Sequence, residues 1–532
     1  MEGLIVRADA SKEIGTGHVM RCLALAQRWR DAGGKVTFVT ACLPAALQSR
    51  LDAECMSTAY LPAASPGEDG LERDAMQTAE LARKSGASWV VIDGYVFDSA
   101  YQKSIKSHGI KTLFIDDNGH CSHYYSDIIL NQNLHADKMF YEKREPETTL
   151  LLGTKYALLR REFWRWQGWN RSIPENGKRI LVTLGGSDPD NVTLKVINAL
   201  KGLNSPDLEA VVLVGGSNPY YETLQEAAAD SAINMRLERD VNDMPKMLSW
   251  ADVGITSGGT TVWEMAFMGL PCMIMCIADN QIGLAKRLGE MGAAVNQGWH
   301  ECLSERDVSL QVISLLGDRK KRADMSRGLQ QLVDGEGVDR VLMHLEERSL
   351  RLRRAREEDC ERIWRMACDA EARAASFSTQ PIPWERHMQW FHDKMSDRDC
   401  FLFLAQDIED NYIGQVRFDV KEDRAVISIN IAKDMRRKGY GKQLVQMAVK
   451  ELFHLSPVRS VHAFVKQNNE RSIMTFRGAG FELEGNEMVG DHIALHFKKK
   501  PNEKVIGIGR NLSFRISIFL EEKSDRMNRP IS

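Results

Sequence analysis

A chain of 532 residues is too long to close around one hydrophobic core, and three domains are expected. Its 43% hydrophobic and 27% charged content is that of an ordinary globular protein, and a net charge of −3 excludes the strong electrostatics of a nucleic-acid or membrane-surface binder. No apolar run reaches about 18 residues, and Met1-Glu2-Gly3 leads into a strand where a signal peptide would carry a basic region, so a cytoplasmic protein without nucleic-acid or membrane partners is expected.

The first predicted element is a strand from Leu4 to Val6, running on to about Ala8. An amphipathic helix follows from about Val19 to Ala32. Between them stands Arg7-Ala-Asp-Ala-Ser-Lys-Glu-Ile-Gly15-Thr-Gly17-His18-Val-Met-Arg21-Cys22. The two glycines allow a tight turn with bare N–H groups at a helix mouth, where anions settle. An imidazole there can serve as a base, because its pKa lies near neutrality. By spacing alone, His18 can equally be a helix cap in an ordinary strand–turn–helix.

The residues of this stretch resemble the opening of the UDP-sugar hydrolases of pseudaminic acid synthesis. Those enzymes share a two-domain fold with nucleotide-sugar glycosyltransferases. The resemblance implies that His18 is the base that activates the attacking water.

Further strands are expected at Lys35–Thr40, Ser88–Asp93, Lys111–Asp117 and Asp127–Asn131, alternating with helices as in a parallel sheet. Their polar ends, Asp93-Gly94-Tyr95, Asp116-Asp117-Asn118 and Asn131-Gln132-Asn133, stand where open α/β sheets bind ligands. Asp also ends strands simply by making turns. Asp116 and Asp117, with the Asn-Gln-Asn run, resemble family positions lining a sugar pocket. The stretch Leu151 to Phe163, with Tyr156, Arg160 and Glu162, matches the family again. A Trp/Arg/Gly-rich segment broken by Pro174 and Gly177 is the expected linker.

The pattern then restarts with Arg179–Leu184 and a glycine turn, Gly185-Gly186-Ser187-Asp188, before a helix near Asp190. Strands Ala210–Val214 and Asp252–Thr256 follow, the second running into Ser257-Gly258-Gly259-Thr260-Thr261 with Glu264 one helical turn on. After Gly269-Leu-Pro271 comes an apolar strand, then Asp279-Asn280-Gln281. The glycines permit close approach of a phosphate, the threonines offer hydroxyls, and Glu264 can accept from ribose hydroxyls. G-G-T-x-x-x-E with G-x-P and N-Q resembles the UDP-binding half of the same fold. It implies Gly17, Asp116, Asp117, Gly186, Ser187, Ser257 to Thr261, Glu264, Asn280 and Gln281 as substrate contacts, with no metal.

From Leu350 to Arg356 a different pattern begins, with antiparallel-type strands at Phe401–Ala405, Asn411–Val420 and Ala425–Ala432. Arg436-Arg437-Lys438-Gly439-Tyr440-Gly441-Lys442 then opens a helix to about Leu455. A strand at Ser460–Val465 precedes Asn469, Ser472, Phe476, Gly480 and Phe481. R-x-x-G-x-G followed by N-x-x-S-I-x-x-F-x-x-x-G-F resembles the GNAT acetyltransferases. The resemblance implies acetyl-CoA as co-substrate, held by Ile431, Arg436 to Lys442, Asn469, Ser472 and Phe476. Many GNAT enzymes carry Tyr where this chain has Phe476, to protonate the CoA thiolate, which phenylalanine cannot do; Tyr440, water, or a step without a dedicated acid are the alternatives. Glu385, His387 and His462 are candidate bases. Phe377 to Trp384 with Trp390-Phe391 reads as a lid over the acceptor, similar to the sugar-nucleotide acetyltransferase of the same pathway.

Ten cysteines are expected to be reduced and buried, with Cys272 and Cys276 on one side of a strand. His120, Cys121 and His123 lack a partner motif for zinc. The expected architecture is α/β. It has two Rossmann-like domains of glycosyltransferase-B type (1–165 and 176–345), an α+β GNAT domain (350–499) and a poorly ordered tail (500–532) with alternating apolar residues at Val505–Leu520. The expected function is bifunctional: UDP-sugar hydrolysis and N-acetylation, in a pathway of flagellin glycosylation. The alternatives are a glycosyltransferase joined to an acetyltransferase of another substrate, and a non-catalytic sugar-nucleotide binder.

Overall fold

The computed structural model describes residues 3–62, 68–186, 188–203, 205–216, 218–229, 231–239, 241–346 and 349–501. Ser187 and the tail expectation from residue 502 onward lie outside them. The chain forms two compact units, Met1–Leu345 and Glu346–Ser532.

The first unit holds two parallel sheets. Strands β1 (Gly3–Ala8), β2 (Lys35–Thr40), β3 (Ser57–Tyr60), β4 (Ala87–Asp93), β5 (Lys111–Ile115), β6 (Ile128–Asn131) and β7 (Thr149–Leu152) lie in the order β3-β2-β1-β4-β5-β6-β7. Strands β8 (Arg179–Thr183), β9 (Glu209–Val214), β10 (Asn234–Arg239), β11 (Val253–Thr256), β12 (Cys272–Cys276) and β13 (Val295–Trp299) form the second, in the order β10-β9-β8-β11-β12-β13. The central strands are near-continuous apolar runs because helices cover both faces. Strands β3 and β10 escape the sequence pattern because they are half-exposed edges with mixed polarity. The strand expected to reach Asp117 stops at Ile115, where Asp116 turns the chain by accepting the N–H groups of Asn118 and Gly119.

In each sheet the chain order reverses at one place, between β1 and β4 and between β8 and β11. Loops leaving neighbouring strands there diverge to opposite faces and open a crevice at the strand C-termini. The loop before the helix Gly17–Asp31 and the turn Asp93-Gly94-Tyr95 flank the first crevice. Leu184–Asn191 and Ser257–Thr260 flank the second.

Each sheet borrows a piece of the other's sequence neighbourhood. Ala157, Leu159 and Phe163 lie in the core of the second sheet, beside Phe267 and Leu329. The helix Gly337–Leu345 returns to the first sheet, where Val338, Val341, Leu342 and Leu345 pack with Leu4, Val6 and Leu23. Trp89 Nε1 donates to Leu345 O at 2.8 Å.

The second unit is a mixed sheet of β14 (Arg351–Arg354), β15 (Cys400–Gln406), β16 (Tyr412–Lys421), β17 (Arg424–Ile431), β18 (Ser460–Lys466), β19 (Glu482–Val489) and β20 (His492–Lys499), in the order β14-β15-β16-β17-β18-β20-β19. All pairings are antiparallel except β17 with β18. That pairing covers only Arg424–Val426 against Ser460–His462, after which the two strands part.

Cys22, Cys272, Cys276 and Cys400 are buried, but Cys42, Cys55 and Cys302 are exposed, so the expectation of uniform burial fails. The exposed three sit in turns or at helix ends, where the packed cores do not reach. All ten are free thiols.

Candidate active sites

The two crevices of the first unit face each other across one cleft of about 1170 Å³. Gly17 and Thr260 meet across it: a Cβ on Gly17 would lie 4.0 Å from Thr260 Oγ1. Gly186 approaches more closely, since a Cβ there would meet Thr16 Oγ1 at 2.6 Å. That contact leaves room for glycine alone.

His18 lies in the first turn of its helix and is 7% exposed. Its Nδ1 sits 2.7 Å from Asp93 Oδ1. Asp93 is fully buried and accepts from Arg21 Nε and Nη2, each at 2.6 Å. Burial opposes ionisation of this carboxyl, but the charge of Arg21 and the bond to His18 outweigh it and hold its pKa well below the ordinary range. A carboxylate at this place fixes the proton on His18 Nδ1, and Nε2 is left as the acceptor, with no hydrogen-bond partner among the described residues. The arrangement is a buried carboxylate orienting an imidazole base.

Tyr95 packs edge-on against His18 with centroids 4.9 Å apart. Its hydroxyl donates to Asp117 Oδ2 at 3.0 Å and accepts from Asn280 Nδ2 at 3.0 Å. Burial and the Asp117 carboxylate push its pKa up, so the phenol stays protonated. Asn280 thereby clasps the two halves. Asp117 is further held by Arg21 Nη1 at 2.7 Å and Asn133 Nδ2 at 2.7 Å, and it lines the cleft.

Asp116 does not line the cleft. Its fully buried carboxylate accepts from His120 at 3.1 Å and from the Tyr124 hydroxyl. It belongs to the scaffold, because neighbouring residues at a strand end point to opposite sides. The hydrogen bond to Asp116 lifts His120 to about 11. Gln281 lines the cleft, and its Oε1 accepts from Ile277 N at 2.9 Å and Gly258 N at 3.3 Å and so shapes the glycine loop.

Ser257, Gly258, Gly259, Thr260 and Thr261 line the cleft. Glu264 reaches it too, paired with Arg160 Nη1 at 2.7 Å. Burial raises the Glu264 pKa while Arg160 works against the rise. Arg21 and Arg160 were absent from the expected contacts, and Asp93 and Tyr95 were expected only as a ligand-binding strand end with no stated role. Arg21 stands one helical turn after His18, a signal readable in the sequence; the pairing with Asp93 depends on β1 lying beside β4 and leaves no local trace.

In the second unit the helix Tyr440–Leu455 starts at the open end between β17 and β18. Gly439 caps it at φ +85°, and nothing lies within 4 Å of where its Cβ would be. Arg437 also has positive φ, +65°. This open, amide-rich turn fits a diphosphate. Three expected contacts have structural partners. Gly441 faces Thr475 of the next helix, with a Cβ at 3.3 Å from its Oγ1. Asn469 caps the helix Glu470–Gly478 by accepting from Ser472 N at 3.2 Å. Phe476 is buried against Phe481 and Phe497. Arg436 is tied down by Asp369 and Glu371, while Lys438 and Lys442 remain on the surface around the turn. Ile431 ends β17 and its carbonyl accepts from Arg436 Nε at 3.0 Å. Tyr440 begins the helix and packs partly into the core.

Among the candidate bases, Glu385 is exposed on the first turn of its helix. His387 is buried with Nε2 3.1 Å from Cys360 O. His462 is engaged on both nitrogens, by Ser460 Oγ at 2.8 Å and His496 Nε2 at 2.8 Å. The expected lid is packed only in part: Phe391 is fully buried in a small core with Ile363 and Leu404 and Trp384 meets Trp364 edge-on, while residues 378–381 are exposed. No group of three His, Cys, Asp or Glu among the described residues is arranged to hold a metal ion. No described helix is long and apolar enough to cross a membrane.

Comparison with known proteins agrees with this two-part plan. The glycosyltransferase family 28 C-terminal domain matches residues 179–339, and the GNAT acetyltransferase domain matches residues 349–482. An uncharacterized protein of Methanocaldococcus jannaschii is 24% identical over 504 residues, covering 90% of this chain and 96% of that protein. The UDP-2,4-diacetamido-2,4,6-trideoxy-β-L-altropyranose hydrolase of Campylobacter jejuni is 28% identical over 295 residues, 55% of this chain and 98% of the relative. The crystal structure of Acinetobacter baumannii MurG aligns with TM-score 0.47 at 19% identity, covering 65% of this chain and all of that one.

Proposed function

We propose that this chain, which joins a glycosyltransferase-B-type unit similar to the pseudaminic-pathway UDP-sugar hydrolases to a GNAT domain, is a bifunctional enzyme of that pathway. The first unit hydrolyses UDP-2,4-diacetamido-2,4,6-trideoxy-β-L-altropyranose to the free sugar and UDP. The second transfers an acetyl group from acetyl-CoA to the 4-amino group of the UDP-linked precursor.

The observation that carries the hydrolytic half is the His18–Asp93 pair, with Nε2 unpartnered at a cleft wall opposite the glycine loop Ser257–Thr261. Water between His18 and the anomeric carbon gives its proton to Nε2 as its oxygen bonds to that carbon. The bond from carbon to the diphosphate oxygen breaks, and UDP leaves with the electron pair. Arg21 fixes Asp93, and Asp93 holds the imidazole in register and stabilises the imidazolium. Backbone amides of the glycine loops face the charge developing on UDP. Glu264, held by Arg160, has an oxygen left for the ribose hydroxyls. This step as written uses no metal, and excess chelator leaves it unchanged.

In the second unit the turn Arg437–Gly439 and the parting of β17 from β18 suit acetyl-CoA, which would supply the acetyl group. Acetylation precedes hydrolysis, because UDP is the handle both units grip. The test is incubation with the UDP-linked 4-amino sugar, with and without acetyl-CoA, read by NMR. The expected products are free diacetamido sugar and UDP, with UDP release slow until acetyl-CoA is added. Equal release from the unacetylated amine would overturn the order. A second reading, transfer of the sugar to an acceptor, draws on the family 28 match; UDP release to water without acceptor excludes it.

A further inference from the structure

We propose that the segment from Met366 to Ser376 is a strap fastened across the opening between β17 and β18, and that binding of acetyl-CoA unfastens it at Glu371. The inference rests on the acetyl-CoA reading of the second unit.

The strap is anchored on both sides of the opening. From β17, Asn430 Nδ2 donates to Met366 O at 3.2 Å; from β18, Lys466 Nζ donates to Ala374 O at 3.1 Å. Its charged anchors are different in kind. Arg436, in the turn proposed for the diphosphate, pairs through Nη1 with Asp369 at 2.6 Å and with Glu371 at 3.0 Å. Arg471, in the first turn of the helix Glu470–Gly478, pairs with the other oxygen of Glu371. One carboxylate thus spans two guanidinium groups.

Arg436 is also incompletely served. Its Nη2 is enclosed and has no hydrogen-bond acceptor. A guanidinium favours bidentate phosphate over a shared carboxylate, and CoA carries several phosphate charges on a flexible frame. Phosphate oxygens arriving at the turn complete Arg436 and compete for Arg471. The displaced carboxylates of Asp369 and Glu371 then face phosphates of like charge. Because Glu371 and Arg471 are half-exposed, their pairing is weak enough to exchange. With the carboxylate anchors released, the hydrogen bonds from Asn430 and Lys466 are the remaining ties across the opening, and its acceptor side is uncovered.

The test uses the full chain with CoA as the probe, reading hydrogen exchange in peptides covering residues 366–376 and CoA affinity by calorimetry. In the wild type, CoA should raise exchange in these peptides about threefold or more. Glu371→Gln should show the raised exchange without CoA, and should bind CoA about 3–10-fold tighter, the range for removing weak competing pairs. Asp369→Asn should move both readouts the same way by less, since Glu371 still holds Arg471. Slower exchange on CoA binding, or unchanged CoA affinity in Glu371→Gln, overturns the strap. Absence of CoA binding by the wild type overturns the acetyl-CoA reading itself, and the strap with it.

Discussion

A carboxylate without solvent contact, Asp93, serves His18 through one oxygen and Arg21 through both. Replacement by Asn keeps the shape and removes the charge. Hydrolysis should fall about 10²–10⁴-fold, as when an orienting carboxylate is lost, with UDP affinity changed less than about threefold. His18→Ala should lower the same rate by at least about 10²-fold. Normal turnover in either variant, measured by coupled UDP release, would exclude the dyad as the base. Asp93→Asn also leaves Arg21 short of a buried partner, and urea unfolding should show a loss of about 3–5 kcal/mol. The sign with pH follows from the depressed pKa. The stabilisation from Asp93 is fully present above the ordinary carboxylate pKa of about 4 and is lost as pH falls toward its lower folded value. Stability of the wild type should therefore drop more steeply below about pH 4 than that of Asp93→Asn. Arg21, one helical turn after His18, left a local signal that the sequence reading did not use. Of the neighbours Asp116 and Asp117, sequence cannot say which faces the cleft, since that depends on the strand's phase.

The glycines around the helix Tyr440–Leu455 separate two functions that look alike in the motif. Gly439 has a left-handed backbone and open space around it, so Gly439→Val strains the turn by about 1–2 kcal/mol and obstructs the ligand side. Gly441 faces Thr475, so a larger residue pries two helices apart, costing about 1–3 kcal/mol of stability. The expected contrast is loss of CoA binding with modest melting change for Gly439→Val, and the reverse for Gly441→Ala. Equal effects on CoA binding, measured by calorimetry, would refute this division. At this scale the buried strands were readable, because covered parallel strands are apolar throughout. The strand β19, exposed over nearly its whole length, gave no apolar rhythm to read.

At the scale of the molecule, the break between the compact units falls at Leu345 and Glu346. A fragment ending at Glu346 should fold and hydrolyse the diacetamido substrate. One ending at Glu336 should not, because Val338, Val341, Leu342 and Leu345 each contribute roughly 1.5–3 kcal/mol to the first sheet's core. Together they rival the whole stability of a domain. Cooperative thermal unfolding of the longer fragment and aggregation of the shorter is the expected pair of results. The alternation of strands and helices made the sheets legible, but the return of the last helix to the first sheet was not. It is set by which core has an uncovered face once the chain between has folded.

That return also fixes a timetable for synthesis. Residues 3–152 supply every strand of the first sheet, yet one side of its core is closed only by residues 337–345. On a ribosome adding about 5–20 residues per second, the first sheet waits roughly ten to forty seconds with apolar surface uncovered. Until the second half has emerged, the first half of this chain is therefore expected to be prone to aggregation.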